Sequence, residues 1–163
     1  MTGLAEYKTV FDPALRSGNL EQVLGVVQQI KNDCQVYIEC REGRRIPQHR
    51  FQILNHYEFV QLLVQYGKTP SPRIKGIRFQ KGQSIDIAID FETLMNVPND
   101  SDKTTTIVVN TVLVIMEELI HAIRPDLNEK QVNELNFQYV SDFLPYSFPR
   151  EFVEKSRKAV MNL

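Results

Sequence analysis

Between residues 104 and 123 the chain reads TTTIVVNTVLVIMEELIHAI, and twelve of the seventeen residues from Ile107 to Ile123 are apolar. No other segment is so suited to complete burial. The run therefore belongs at the centre of the fold, with amphipathic segments packed on either side. It is also the one stretch that invites a membrane reading. A spanning helix needs roughly 20 mostly apolar, uncharged residues. Here Asn110 and Thr111 interrupt the run, and Glu117, Glu118 and His121 follow closely, so a buried core element is expected. Its conformation has two readings. Residues 104–109 are rich in β-branched side chains and suit a strand, with Asn110 capping a helix from about 111 to 123. One long buried helix over 103–123 is the alternative.

A chain of 163 residues fits one globular domain with a core large enough to need no metal or disulfide. With 42% apolar and 24% charged residues it is ordinary globular composition. The two cysteines, Cys34 and Cys40, point in different directions on a helix and form no zinc or disulfide framework. Free thiols predict a reducing, cytoplasmic-type compartment. The start, MTGLAEYKTVF, lacks the basic and apolar regions of a secretory signal.

Residues 1–18, with Pro13 and Gly18, form either a short helix or a mobile arm docking on the core. Asn19 with Gln22 resembles a capping box. Leu20, Val23, Leu24, Val27, Ile30 and Cys34 recur at helical spacing after it, and the helix should end before Gly43. Its last turns, around Val36–Ile38, can also be read as extended. Pro47 would open a second helix over about 48–66, stopped by Gly67. The period then changes. Ile85, Ile87, Ile89 and Phe91 alternate with Ser84, Asp86, Ala88 and Asp90, and Ile77 and Phe79 flank Arg78 upstream. With Lys81-Gly82 between them, a β-hairpin at roughly 73–91 follows. Pro125 ends the central element. Asp126 with Glu129 reads as the cap of a helix reaching about 144, and Pro149 opens a last helix over about 150–160. The fold class is thus α+β, with about five helices around a small antiparallel sheet whose third strand, on the strand-then-helix reading, is 104–109.

The net charge of −1 hides a dipole. Residues 41–81 hold nine Lys/Arg and two acids, near +7. Residues 86–134 hold ten acids and three bases, near −7. Three arrangements explain this. The regions face each other within the fold, or meet across an interface between molecules, or the basic region binds phosphate. The residues that would contact a partner or phosphate are Arg41, Arg44, Arg45, Arg50, Arg73, Lys75, Arg78 and Lys81. The favoured role is non-enzymatic: an interaction or assembly module that sets this basic surface against an acidic protein partner or another copy of itself. The alternative is a nucleic-acid-binding regulator of helix-and-wing type. There the arginines and the hairpin bases would hold phosphates, while Gln48, Gln52 and Asn55 would reach base edges.

Catalytic signals are sparse. Glu117 and His121 are i,i+4, and Glu118 and His121 are i,i+3, so either pair can face one way on a helix. The zinc-hydrolase pattern needs His where Glu117 stands, and a di-metal carboxylate site needs two Glu-x-x-His pairs. A metal-dependent enzyme on Glu117, Glu118 and His121 is therefore the least favoured reading, with Asp126 or Glu129 as assisting groups. His49 and His56 stand about 10 Å apart along a helix and cannot share a metal alone. Neither is placed by any local pattern to activate Cys34 or Cys40. No phosphate-cradling glycine motif is present, and Asp86 with Asp90 reads as a solvated strand face. No catalytic residue, metal ligand or cofactor is assigned from the sequence.

Overall fold

A computed structural model describes residues 4–72, 74–97 and 103–144. Its elements in chain order are α1 (Leu4–Ser17), α2 (Leu20–Glu42), β1 (His49–Leu54), α3 (His56–Gln65), β2 (Gly76–Lys81), β3 (Ser84–Asp90), the one-turn α4 (Phe91–Met95), α5 (Lys103–Ile123) and α6 (Glu129–Phe143). The fold class is α+β: among the described residues, six helices surround a three-stranded mixed sheet. The strand order is β1-β3-β2, with β1 parallel and β2 antiparallel to β3.

The apolar run is one helix, not a strand followed by a helix. From Ile107 to Ile123 every residue except Asn110 and His121 is buried. A segment buried on all sides gains from satisfying its backbone internally, and this overrides the weak β preference of Val, Ile and Thr. Thr111 fits by donating its hydroxyl to the Ile107 carbonyl at 2.7 Å. α5 is long and apolar enough to cross a membrane, but 83% of its most apolar stretch is buried within the fold.

The third strand is 49–54, within the segment expected to be a helix. Phe51 and Ile53 alternate with Arg50 and Gln52, a period-two signal. The helix begins only at His56, where Asn55 and Glu58 form a capping box: Glu58 N–H donates to the Asn55 side chain at 2.8 Å, and Asn55 N–H donates to the Glu58 carboxylate at 3.3 Å. The α6 cap is likewise displaced. Asn128 and Gln131 form it, while Asp126 pairs with Arg124. The first cap and the hairpin are where the sequence put them. The Asn19 side chain accepts from Gln22 N–H, Gly43 closes α2 at φ 67°, and α2 is helical through Val36–Ile38. Residues 4–17 are helical, burying Leu4, Tyr7, Phe11 and Ala14. The helix expected at 150–160 lies outside the described residues.

Two clusters hold the layers together. The larger joins α1, α2, α5 and α6 to one face of the sheet through Ile87 and Ile89. The smaller packs Phe59 and Leu63 of α3 on the other face, against Ile77, Phe79 and Ala88. The sheet is thus sandwiched between α5 and α3. Alternation along each strand then decides which side each polar residue reaches.

Candidate functional site

Register sorts the basic residues of the sheet. Arg78 pairs with Ile87, so its side chain lies on the α5 face. Arg50 pairs with Asp86 and Lys81 with Ser84, on the α3 face. The sheet therefore separates Arg78 from Arg50 and Lys81. Several bases already face acids. Arg50 Nε donates to Asp86 at 2.9 Å. Arg41 Nη1 lies 3.4 Å from Asp142 and its guanidinium stands over the Tyr139 ring. Arg44 is 4.0 Å from Glu42. Arg45 is exposed, Lys75 Nζ donates to the Pro72 carbonyl, and Arg73 lies outside the described residues. Residues 49–54, expected to open the helix before the hairpin, are a strand, so the helix that precedes β2 and β3 is α3 alone. Asn55 caps α3, and the Gln52 amide oxygen, correctly oriented, accepts from Arg50.

Around Arg78 the surface is concave. A cleft of about 460 Å³ opens between β2, the end of α3, and the α5–α6 corner. Its charged lining is Lys68 and Arg78 on one side and Glu117, Glu118, His121 and Glu129 on the other. Gly76 shapes the wall: a Cβ there would stand 2.7 Å from Val114 Cγ1 and 3.1 Å from Glu118 Cγ. Only glycine lets β2 and α5 approach this closely.

The cleft runs beside an open sheet edge. Asp90 N–H donates to the Lys75 carbonyl at 2.8 Å. Together with the antiparallel register, this makes Ile77–Ala88, Phe79–Asp86 and Lys81–Ser84 the hydrogen-bonded pairs. The N–H and C=O groups of Gly76, Arg78 and Gln80 consequently point away from β3. Among the described residues none of these groups has a backbone partner across that edge.

The acidic wall comes from two helices. Glu117 and His121 share a face of α5 at i,i+4, and Glu129 opens α6 beyond the 124–128 turn. Their ligand-capable atoms all lie within 4.8 Å of one another, and His121 Nε2 is 3.5 Å from Glu129 Oε1. Glu118 faces the same cleft at 6% exposure. Burial pushes its carboxyl well above the usual carboxylate range, and Glu117 and Glu129 add to this. Burial also lowers the His121 imidazole, which outweighs the opposite pull of Glu129. The ring is therefore neutral at neutral pH and keeps a lone pair. The structure thus joins Glu117 and His121, the spacing visible in the sequence, to Glu129. Asn133, at i,i+4 from Glu129, lines the same cleft and escaped the sequence reading.

Other groups of chemical interest serve the scaffold. Cys34 is buried, with its thiol pushed up by desolvation, and Cys40 is exposed; both are free. His49 Nδ1 lies 2.8 Å from the Pro47 carbonyl and His56 Nδ1 2.7 Å from Asp90, and among the described residues no hydrogen bond joins either imidazole to a thiol. Comparison of the chain with protein-family models, with curated proteins and with solved structures finds no match.

Proposed function

We propose that this protein is a non-enzymatic interaction module that adds an extended, acidic segment of a partner protein to the free edge of β2. The observation that carries this reading is the row of outward N–H and C=O groups on Gly76, Arg78 and Gln80, set beside a charged cleft. Main-chain pairing at such an edge supplies affinity, and pockets for alternate side chains supply choice. A strand laid there presents every second side chain to Arg78 on the cleft face. The residues between them face the side of Lys75 and Lys81. Of the eight bases singled out in the sequence, these three border the edge.

The charge of β2 favours a different chain over a second copy. Its sequence, GIRFQK, holds two bases and no acid. An antiparallel pair of β2 strands centred on Arg78 would set two guanidinium groups side by side, which is destabilising. Acidic side chains there relieve the excess. Two unpaired thiols, one of them exposed, support the reducing compartment expected from the sequence.

The test uses a labelled peptide of about eight residues alternating Glu and Val, titrated by fluorescence anisotropy in the presence of a chelator. Binding that weakens with salt and is lost in Arg78→Glu is expected. A Lys/Val peptide of equal length should not bind. Failure of the acidic peptide, with binding of a random DNA duplex at low salt, would overturn the reading in favour of nucleic acid.

A further inference from the structure

We propose that Glu117, His121 and Glu129 form a binding site for a divalent transition-metal ion of the Zn²⁺ class at the corner between α5 and α6. Nothing in the strand-addition reading requires this site, and its occupancy is a separate property of the cleft.

The geometry suits such an ion. Zn²⁺ holds imidazole nitrogen and carboxylate oxygen at about 2.0–2.2 Å, so ligand atoms around it stand about 3.4 Å apart in a tetrahedron. The three ligand atoms here lie within 4.8 Å of one another, and one pair is already at 3.5 Å. Closing the remaining gap falls to Glu129. Its side chain is 77% exposed, whereas Glu117 is held at 7% exposure on the buried α5. Two carboxylates and an imidazole are a ligand set that a divalent cation of this class takes. The imidazole selects for a borderline metal over Mg²⁺ or Ca²⁺, which take oxygen alone.

Two further observations point to a cation. Glu118 is more than nine-tenths buried and faces the cleft, yet among the described residues no hydrogen bond or ion pair reaches it. Glu117 and Glu129 repel this carboxyl and Arg78 attracts it, so a cation in the cleft offsets the local excess of negative charge. The Asn133 side-chain oxygen is also buried at the cleft, without a hydrogen-bond partner among the described residues. It stands one turn after Glu129 on α6, as His121 stands one turn after Glu117 on α5. Two i,i+4 pairs on adjacent helices thus present four donor groups to one space, with Asn133 as the neutral fourth. A metal held there ties the start of α6 to α5 across the 124–128 turn.

The experiment is a titration of the untagged chain with Co²⁺ after chelator treatment, read by the visible absorption of the bound ion and by calorimetry. One Co²⁺ per chain is expected, displaced by Zn²⁺ and not by millimolar Mg²⁺. Glu129→Gln, an exposed change that leaves the core intact, should weaken binding about 100-fold, at the upper end of what removing even an outer-shell partner costs. His121→Ala should do the same, and Glu21→Gln on the far helix should change nothing. No stoichiometric Co²⁺ binding, or wild-type affinity in Glu129→Gln and His121→Ala, would overturn the site. The titration involves no partner and the peptide assay contains chelator, so each reading can fail alone.

Discussion

His56 Nδ1 lies 2.7 Å from Asp90 Oδ2, joining the first turn of α3 to the end of β3. Asp90 also caps α4, accepting from Thr93 N–H at 3.1 Å and from the Thr93 hydroxyl at 2.7 Å. The Asp90 hydrogen bond and charge raise the His56 pKa above its ordinary value. A raised histidine contributes stability that is complete below its unfolded pKa, about 6.5, and is lost as pH rises through the folded value. His49 and His121 are lowered by burial and act in the opposite sense. The informative quantity is therefore a difference. Wild type should exceed His56→Gln in urea midpoint at pH 5.5, and the gap should shrink as pH rises toward 8.5. A gap independent of pH would show that the ion pair contributes nothing.

Glu42, at the end of α2, joins three helices. It accepts from the Tyr139 hydroxyl of α6 at 2.5 Å and from Arg124 Nη1, just past α5, at 3.2 Å. Its side chain is almost wholly enclosed. Removing it strands a phenol and leaves Arg124 with Asp126 alone. Glu42→Ala should cost about 2 kcal/mol, within the range for orphaned partners of a charged group. The same change on a Tyr139→Phe background should cost less, because the phenol no longer needs an acceptor. Equal costs in the two backgrounds, measured by chemical denaturation, would mean the phenol and carboxylate are not coupled.

The close approach of Gly76 to Val114 sets the cleft wall. Val114 is stiff at χ1 and 2% exposed, so it cannot swing aside for a methyl group. Gly76→Ala should destabilise by about 1–3 kcal/mol through overpacking. Adding Val114→Ala should recover part of the loss, leaving the double variant more stable than the sum of the two changes predicts. Strict additivity in thermal denaturation would remove the proposed clash.

Local signals in the sequence located what local interactions decide. Asn19 and Gly43 bound α2, and the alternation from Ser84 to Asp90 gave β3. Errors arose where tertiary burial outvoted local preference. The β-branched residues at 104–109 became helical because β1 and β2 flank β3 while α5 occupies the core. Residues 49–54 read as helix because Pro47 resembles a start, whereas the true start is the Asn55–Glu58 box. The acidic corner was half visible. Glu117 and His121 share a helix face by spacing alone, but Glu129 joins them only through the turn between α5 and α6. Arg78 and Lys81 look alike in a charge count, and the parity of β2 places them on opposite faces.

Asn136 offers a test of the core itself. It is 1% exposed on α6, and its amide nitrogen donates to the Leu113 carbonyl of α5 at 3.1 Å. Its oxygen is buried without a partner among the described residues. The Leu113 carbonyl, in mid-helix, also accepts the usual i+4 backbone bond, so losing the amide does not orphan it. Replacing Asn136 with Leu removes an unsatisfied acceptor and adds apolar burial among neighbours such as Val132 and Val140. The gain should be about 1 kcal/mol, raising Tm by about 2–4 °C for a chain of this size. A lower Tm would mean that leucine overpacks the site or that the bond to the Leu113 carbonyl contributes more than the added apolar burial.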